Sequence, residues 1–533
     1  MDWPTYLLST ASHNDPDLPL AFDADMPGRT MSWNQYVQVV KSVAAGLQAT
    51  HVKYQDCVGL LSDNDIYYYA LGDAVIAAGC IFCPIQTTHK VAELAHQLKT
   101  ASVKYLFTSR KLLDLALEAA LSVGIPDEAV FVYDPPGREV YSGSRTSMSG
   151  LMSTDVNRWQ NPNVDKDPRE IMAYRMFSSG TTGSPKAGEI SHHTHVLRVD
   201  QRSKGPFSGP ETQAVIWIPI YHSSSHWNYH QAALGLQTIH VTLDKEMRDM
   251  PALIDIVREA RISSLILPPR FLRPFIACIE SGTRSMNDLK TIEKVSVGGS
   301  AIDPLAAHQF RATFPEIKFL GVYGTTEAGG IAVGPGPDLS KAGLIGGLQP
   351  GVELRFIDPE TLIDVQPGED GEVCVRSVQV LSRYHNNAEA SASSFLKDPS
   401  GDWFRTGDKG RWDSETHQLF LTGRYKEIFK VASKEVSPEE IENVLMQHEA
   451  IEDAAVCPVP SKHDQNELEV RAYVVKRNRT QQVSAEDIVQ FVATKLSSQK
   501  VPTGGVVFCD EIPRNALKKV VRRKLLEIDT SKL

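Results

Sequence analysis

Four short stretches of this chain carry side chains that could act together on a phosphate anhydride. The first, Ser178-Ser179-Gly180-Thr181-Thr182-Gly183-Ser184-Pro185-Lys186, offers glycines for tight turns, hydroxyls and exposed amides that donate to phosphate oxygens, and a lysine for charge. It is not a Walker A loop: the spacing differs, and Ala187 stands where that motif needs Ser or Thr for Mg²⁺. The second, Tyr323-Gly324-Thr325-Thr326-Glu327-Ala328, groups a ring, hydroxyls and a carboxylate that could stack on a base, touch a phosphate and ligate Mg²⁺. In the third, Trp403-Phe404-Arg405-Thr406-Gly407-Asp408, one carboxylate in a Gly turn could accept both hydroxyls of a ribose. The fourth runs from Pro513-Arg514 to Lys519, a lysine in a loop entering a basic helix. Each has a plainer reading when taken singly: a flexible Ser/Thr/Gly loop, a chance cluster, a turn-forming Asp, a solvated lysine.

The elements that must position these stretches are legible in hydrophobic periodicity. Ser32 and Gln35 form a capping box, and Tyr36, Val39, Val40, Val43 and Leu47 follow at helical spacing. Strands are predicted at 58–61, 81–85, 103–108, 214–219, 264–267 and 294–297, with helices at 66–78 and 92–98 between the early ones. This alternation argues for a doubly wound α/β sheet. After Pro367 short strands at 371–376, 410–413 and 418–422 give a β-rich texture. A smaller α+β unit follows Gly423-Arg424-Tyr425-Lys426, with a helix start at Ser437-Pro438-Glu439-Glu440. The expected division is a large N-terminal domain, 1–423, and a small mobile C-terminal domain, 424–533.

A chain of 533 residues is too long for one simple core. Its net charge of −10 and pI of about 5.9 argue against a nucleic-acid binder, and the cluster Lys518, Lys519, Arg522, Arg523 and Lys524 reads as a solvated helix face. The cysteines make no disulfide framework, and Cys80 and Cys83 read as core thiols. His192, His193 and His195 lie close together, but no carboxylate or Cys partner is evident beside them, so packing or surface roles are expected. The first residues lack a secretory pattern, and no window is apolar enough to span a membrane. The chain ends in Ser531-Lys532-Leu533, the tripeptide read by the peroxisomal import receptor, so a peroxisomal location and that receptor as partner are expected.

In this order the four stretches resemble the adenylate-forming superfamily of acyl- and aryl-CoA synthetases, nonribosomal adenylation domains and beetle luciferases. The resemblance runs from about Thr30 to Arg523 and takes in the helical stretch Glu93 to Leu98. It implies an enzyme that joins a small carboxylic acid to AMP and passes the acyl group to coenzyme A, using ATP, Mg²⁺ and CoA. It further implies that Thr181, Thr182 and Lys186, within the loop of Ser178, Ser179, Gly180 and Gly183, order the β- and γ-phosphates. Gly299, Ser300 and Ala301 would line the adenine site, with Tyr323 stacking on the base and Gly324 and Thr325 beside it. Thr326 would contact the α-phosphate, Glu327 would bind Mg²⁺, and Asp408, assisted by Arg424, would hold the ribose. Lys426 would lie at the hinge, Lys430 in the loop toward the thiol tunnel, and Lys519 would reach the carboxylate and α-phosphate. A carboxylate attacking a phosphate is anion meeting anion, so catalysis is expected to be electrostatic.

The departures from the family pattern set further expectations. Lys518 stands where Gly is usual before the lysine, and Ala187 replaces a Gly after Lys186. Ser433 also replaces a Gly, and a Cβ there narrows the thiol approach, which makes adenylation the firmer half of the reaction. The segment Ile218 to Ser223 looks like the pocket segment, with His222 facing the acyl or pantetheine path. His222 cannot serve as the Asp that binds an α-ammonium, so α-amino acids are disfavoured. Ser225, Trp227, Gly298, Gly329 and Gly330 are the other pocket candidates, and aryl, cinnamoyl-like and medium-chain acids stay open. Two rivals remain: loading of a separate carrier protein, and an inactive nucleotide-binding scaffold.

Overall fold

The computed structural model describes the chain apart from residues 12, 14, 179–184, 205–208, 210, 243–248, 426, 432–433, 462–467, 479–482, 515–519 and 529–533, and the side chains of 430, 434 and 435. Local signals act where the sequence places them. Ser32 Oγ accepts from the Gln35 amide at 3.3 Å while Gln35 Oε1 accepts from the Ser32 amide at 2.9 Å, which starts the helix Trp33–Gln48. That helix buries Tyr36, Val39, Val40, Val43 and Leu47.

Two large sheets form the N-terminal body. One has seven strands in the order Arg383–Tyr384, Lys186–Ser191, Met172–Ser178, Ile81–Pro84, Cys57–Leu61, Val103–Thr108, Val130–Val132. Its strands run parallel from Met172–Ser178 onward, and Lys186–Ser191 returns antiparallel. Cys57–Leu61 is buried along its whole length, as a parallel strand covered on both faces must be. The second sheet has fourteen strands. Its parallel half includes Gln213–Ile216, Ser264–Leu267, Lys294–Gly298 and Lys318–Thr325. An antiparallel half continues through Gly329–Gly334, Leu344–Leu348, Gln418–Arg424, Trp403–Asp413, Gly371–Arg376 and Glu353–Ile357. The main core lies between the sheets, where Phe82 and Tyr174 of one share a cluster with Ala214, Ile216 and Ile239 of the other and with the intervening helices.

The C-terminal unit has its own apolar centre. A sheet of Ile451–Pro460, Leu468–Lys476 and Val506–Phe508 packs Val456 and Val474 against Ile441 and Leu445 of helix Pro438–Leu445 and Ile488 and Val492 of helix Ala485–Ala493.

Some expectations need correction. The strand predicted at 410–413 begins at Trp403, because the residues read as a Gly turn form a bulge inside one longer strand, with Arg405 paired to Cys374 before it and Asp408 to Arg424 after it. Ser437 precedes its helix, but its hydroxyl makes no cap bond; Pro438 supplies the fixed φ instead. Arg522 is no solvated helix-face residue: it pairs with Glu427 at 3.1 Å and Glu442 at 3.0 Å. Cys80 and Cys83 are free and buried. Among the described residues no helix is long and apolar enough to cross a membrane.

Candidate active site

Asp408 lies within the strand Trp403–Asp413, directly opposite Arg424 of the neighbouring strand. Gly407 before it has φ of 74°, a left-handed conformation that favours glycine, and its N–H donates to Glu372 Oε1 at 3.1 Å. The Asp408 amide donates to Thr406 Oγ1 at 3.0 Å. The carboxylate so aimed is buried, and both its oxygens are engaged: Arg424 Nε lies 2.6 Å from Oδ1, and the Tyr323 hydroxyl donates to Oδ2 at 2.6 Å. The charge of Asp408 holds the Arg424 guanidinium above its ordinary range. Burial, then the same carboxylate, raises the Tyr323 phenol well above its own. Sequence placed Tyr323 against a base and Asp408 against a ribose; the structure bonds them to each other. Each carboxylate oxygen keeps a lone pair for a further donor, so the pair can still receive vicinal hydroxyls.

A second convergence gathers residues that the sequence reading expects on the phosphate side. Ser178 ends its strand in register with Lys186, which opens the return strand. Ser179, Gly180, Thr181, Thr182 and Gly183 lie outside the described residues. Lys186 Nζ sits 5.2 Å from the ring centroid of Tyr384, whose hydroxyl donates to Glu327 Oε1 at 3.0 Å. Burial and then the Glu327 charge push the Tyr384 phenol up. Sequence reasoning missed Tyr384, a lone aromatic far from every motif. For Mg²⁺ the donor set is suitable: Glu327 is a hard oxygen ligand, and with Oε1 oriented by Tyr384, a carboxylate still offers Oε2.

Between these corners the Thr326 hydroxyl lies 3.5 Å from the Ser223 hydroxyl. Ser223 opens the helix Ser223–Ala233, which His222 caps: His222 Nδ1 accepts from the Ser224 amide at 3.3 Å and lies 2.7 Å from Ser224 Oγ. The pocket segment and the Thr326 turn therefore meet. Thr325, expected at the nucleotide, accepts from the Ala328 amide at 2.9 Å and shapes the turn. Gly324 permits the same close hairpin, since a Cβ there would lie 2.4 Å from the Gly329 carbonyl oxygen. Gly298 ends a strand beside Val322; Gly299, Ser300 and Ala301 follow it, exposed.

His192 and His195 are buried, in keeping with the packing roles expected, but the structure adds a convergence that the sequence did not show. The trio that converges is His195, His226 and His230, not His192, His193 and His195. A carboxylate does stand beside it: Asp73 lies 3.1 and 3.2 Å from His230 Nε2. His192 accepts from the Trp3 amide at 3.1 Å. Another residue missed from sequence is Arg198, buried beside the pocket candidate Trp227, with its guanidinium 5.6 Å from that ring centroid. Lys430 stands on the short strand Phe429–Val431. Lys426, Ser433, Lys518, Lys519 and the terminal Ser531-Lys532-Leu533 lie outside the described residues.

A family model described as AMP-binding enzyme matches residues 8–385, and one described as AMP-binding enzyme C-terminal domain matches 440–519. The chain is 32% identical over 522 residues to phenylacetyl-CoA ligase epaB of Aspergillus niger, covering 97% of this chain and 94% of that protein. It is 32% identical over 517 residues to acyl-CoA ligase azaF of the same species, covering 95% and 94%. Among solved structures, ATP-bound MatB from Rhodopseudomonas palustris superposes with a TM-score of 0.83 at 23% identity, over 99% of each chain.

Proposed function

The chain belongs to the AMP-binding enzymes and is an ATP-dependent acid–CoA ligase working through an acyl-adenylate, and we propose how its residues divide that work. The observation that carries the assignment is the buried triplet Tyr323–Asp408–Arg424, a rigid carboxylate held within the sheet that suits the ribose of ATP. Gly299, Ser300 and Ala301 flank the base. Lys186 and the residues 178–183 before it take the β- and γ-phosphates, and Thr326 takes the α-phosphate, next to Ser223 and His222 where the acid enters. Glu327, held by Tyr384, is the ligand for Mg²⁺. A bound Mg²⁺ supplies positive charge against the phosphate oxygens. Lys519 neutralises the charge that gathers as the carboxylate attacks, and pyrophosphate leaves.

The second half-reaction is attack of the CoA thiol on the adenylate carbonyl, with AMP leaving. We assign residues 1–423 to the nucleotide- and acid-binding body and 424–533 to a lid that pivots near Lys426, withdraws Lys519 and brings Lys430 and Ser433 to the thiol path. The acid is not an α-amino acid, since His222 stands where an ammonium would need a carboxylate. Ser531-Lys532-Leu533 directs the enzyme to peroxisomes through the import receptor. Pyrophosphate release across a panel of acids, with and without CoA and with thioester followed in parallel, tests the whole reading. Release with no thioester for any acid would move the acceptor from CoA to a carrier protein.

A further inference from the structure

Arg198 is a cation with an unmet donor in the interior. It lies on the helix His192–Ser203, is 1% exposed, and is anchored through two of its nitrogens: Nε donates to the Gln379 carbonyl at 2.6 Å and Nη2 to the Glu327 carbonyl at 2.7 Å. Nη1 is buried and has no hydrogen-bond partner among the described residues. No carboxylate is bonded to the guanidinium among the described residues. A buried cation with an unsatisfied N–H is expensive, and such a group points to a ligand that supplies the missing oxygen. The neighbourhood repeats the signal. His195 and His226, whose basicity burial and then the neighbouring imidazoles lower, each keep one buried ring nitrogen without a partner among the described residues, Nε2 and Nδ1 respectively.

The position of Arg198 relates it to the acid. It touches the turn that carries Thr326 and Glu327, the Gln379 turn, and Trp227 on the pocket helix. Gln379 itself donates to the Gly330 carbonyl at 3.3 Å, and a Cβ on Gly329 would fall 2.6 Å from its Oε1, so the glycines 329 and 330 are packed into the same corner. Trp227 stands four residues after Ser223, the residue beside Thr326, which is about 6 Å along the helix. We propose that Arg198 is a specificity residue that binds an oxygen acceptor on the tail of the acid, so that the preferred substrates carry a second oxygen function about one helical turn from the reacting carboxylate. The inference rests on the acid–CoA ligase reading and deepens it: a plain hydrocarbon acid of the same length leaves Nη1 unpaired, whereas a hydroxyl, oxo or carboxylate oxygen satisfies it.

The test compares matched acids on the wild-type enzyme: an unsubstituted acid, the same acid with a distal hydroxyl, and the same acid with a distal carboxylate. Pyrophosphate release and CoA thioester are both read. At least one oxygenated acid is expected to exceed the plain one in kcat/KM by about tenfold to a hundredfold. The two arms tell a neutral acceptor from an anionic one. Arg198→Met is expected to collapse that ratio, and Arg198→Lys to retain part of it. Equal or better turnover of the plain acid by the wild type overturns the inference whether or not the variants fold. Turnover of no acid at all overturns the ligase reading and the inference with it; ligation without preference overturns the inference alone.

Discussion

The Tyr323 hydroxyl and Asp408 Oδ2 stand 2.6 Å apart although 85 positions separate them in the chain. Removing the hydroxyl takes a hydrogen bond from a charged acceptor, a loss of about 1.5–3 kcal/mol. Tyr323→Phe should therefore raise KM for ATP about tenfold to a hundredfold, with a smaller effect on kcat. Asp408→Ala should do more harm, since it also strips Arg424 of its anion; a lowered urea midpoint would register that second loss. Unchanged ATP dependence in both variants would displace the nucleotide site from this triplet.

Glu327→Gln replaces a hard carboxylate ligand by a neutral amide, so the Mg²⁺ concentration for half-maximal activity should rise. Tyr384→Phe removes only the group that orients that carboxylate, and about a tenfold loss of metal affinity is expected. A Mg²⁺ titration of pyrophosphate release reads both. An order of severity with Tyr384→Phe the worse would show that the phenol, not Glu327, governs the metal.

Lys519 should matter only while the carboxylate attacks phosphate. Lys519→Ala is expected to slow adenylate formation by about 10²–10³ yet still convert a supplied acyl-adenylate and CoA to thioester. Lys518→Ala should harm either step much less. A crippled Lys518→Ala beside a normal Lys519→Ala would move the catalytic role one position.

Stability should fall on the acid side. Burial lowers His192 to about 4 and His240 to about 4, and holds His195 and His226 well below 6.5. Below pH 6.5 these rings take protons in the unfolded chain before they do so in the folded one. The unfolded state then binds more protons, and stability rises with pH through that window. For His192 and His240 the loss runs from about pH 6.5 down to about 4, at up to about 1.4 kcal/mol per pH unit for each ring. Urea midpoints between pH 7.5 and 5 should decline steeply; a flat profile would contradict the neutral buried state.

A fluorescent protein fused ahead of the chain should collect in peroxisomes and turn cytosolic when Ser531-Lys532-Leu533 is deleted. Diffuse fluorescence from the intact fusion would refute the assigned location.

Features set by neighbours in the chain were legible before any coordinates. The Ser32–Gln35 capping box, the strand Gly371–Arg376 and the run of apolar residues after Ser32 depend on spacings of two to four residues, and each formed as read. The stretch from Ser178 to Lys186 concentrates its chemistry locally and its two ends pair in register, while residues 179–184 lie outside those described. What escaped were contacts assembled by tertiary packing. Tyr384 reaches Glu327 from a two-residue strand, Asp73 reaches His230 across 157 positions, and Arg198 donates to two carbonyls more than 120 positions away. Asp408 was found by its motif but not its setting, since nothing local announces that a Gly-Asp pair will stay inside a strand.

The cross-strand register of Asp408 and Arg424 has a mechanical consequence. Arg424 is the last residue of its strand, and the proposed lid begins there. A rotation that starts beyond it has its fulcrum at a point welded by an ion pair to Asp408, the proposed ribose acceptor. The acceptor therefore stays still while everything past the fulcrum swings, and the adenylate can keep its seat as one set of reacting groups is exchanged for another.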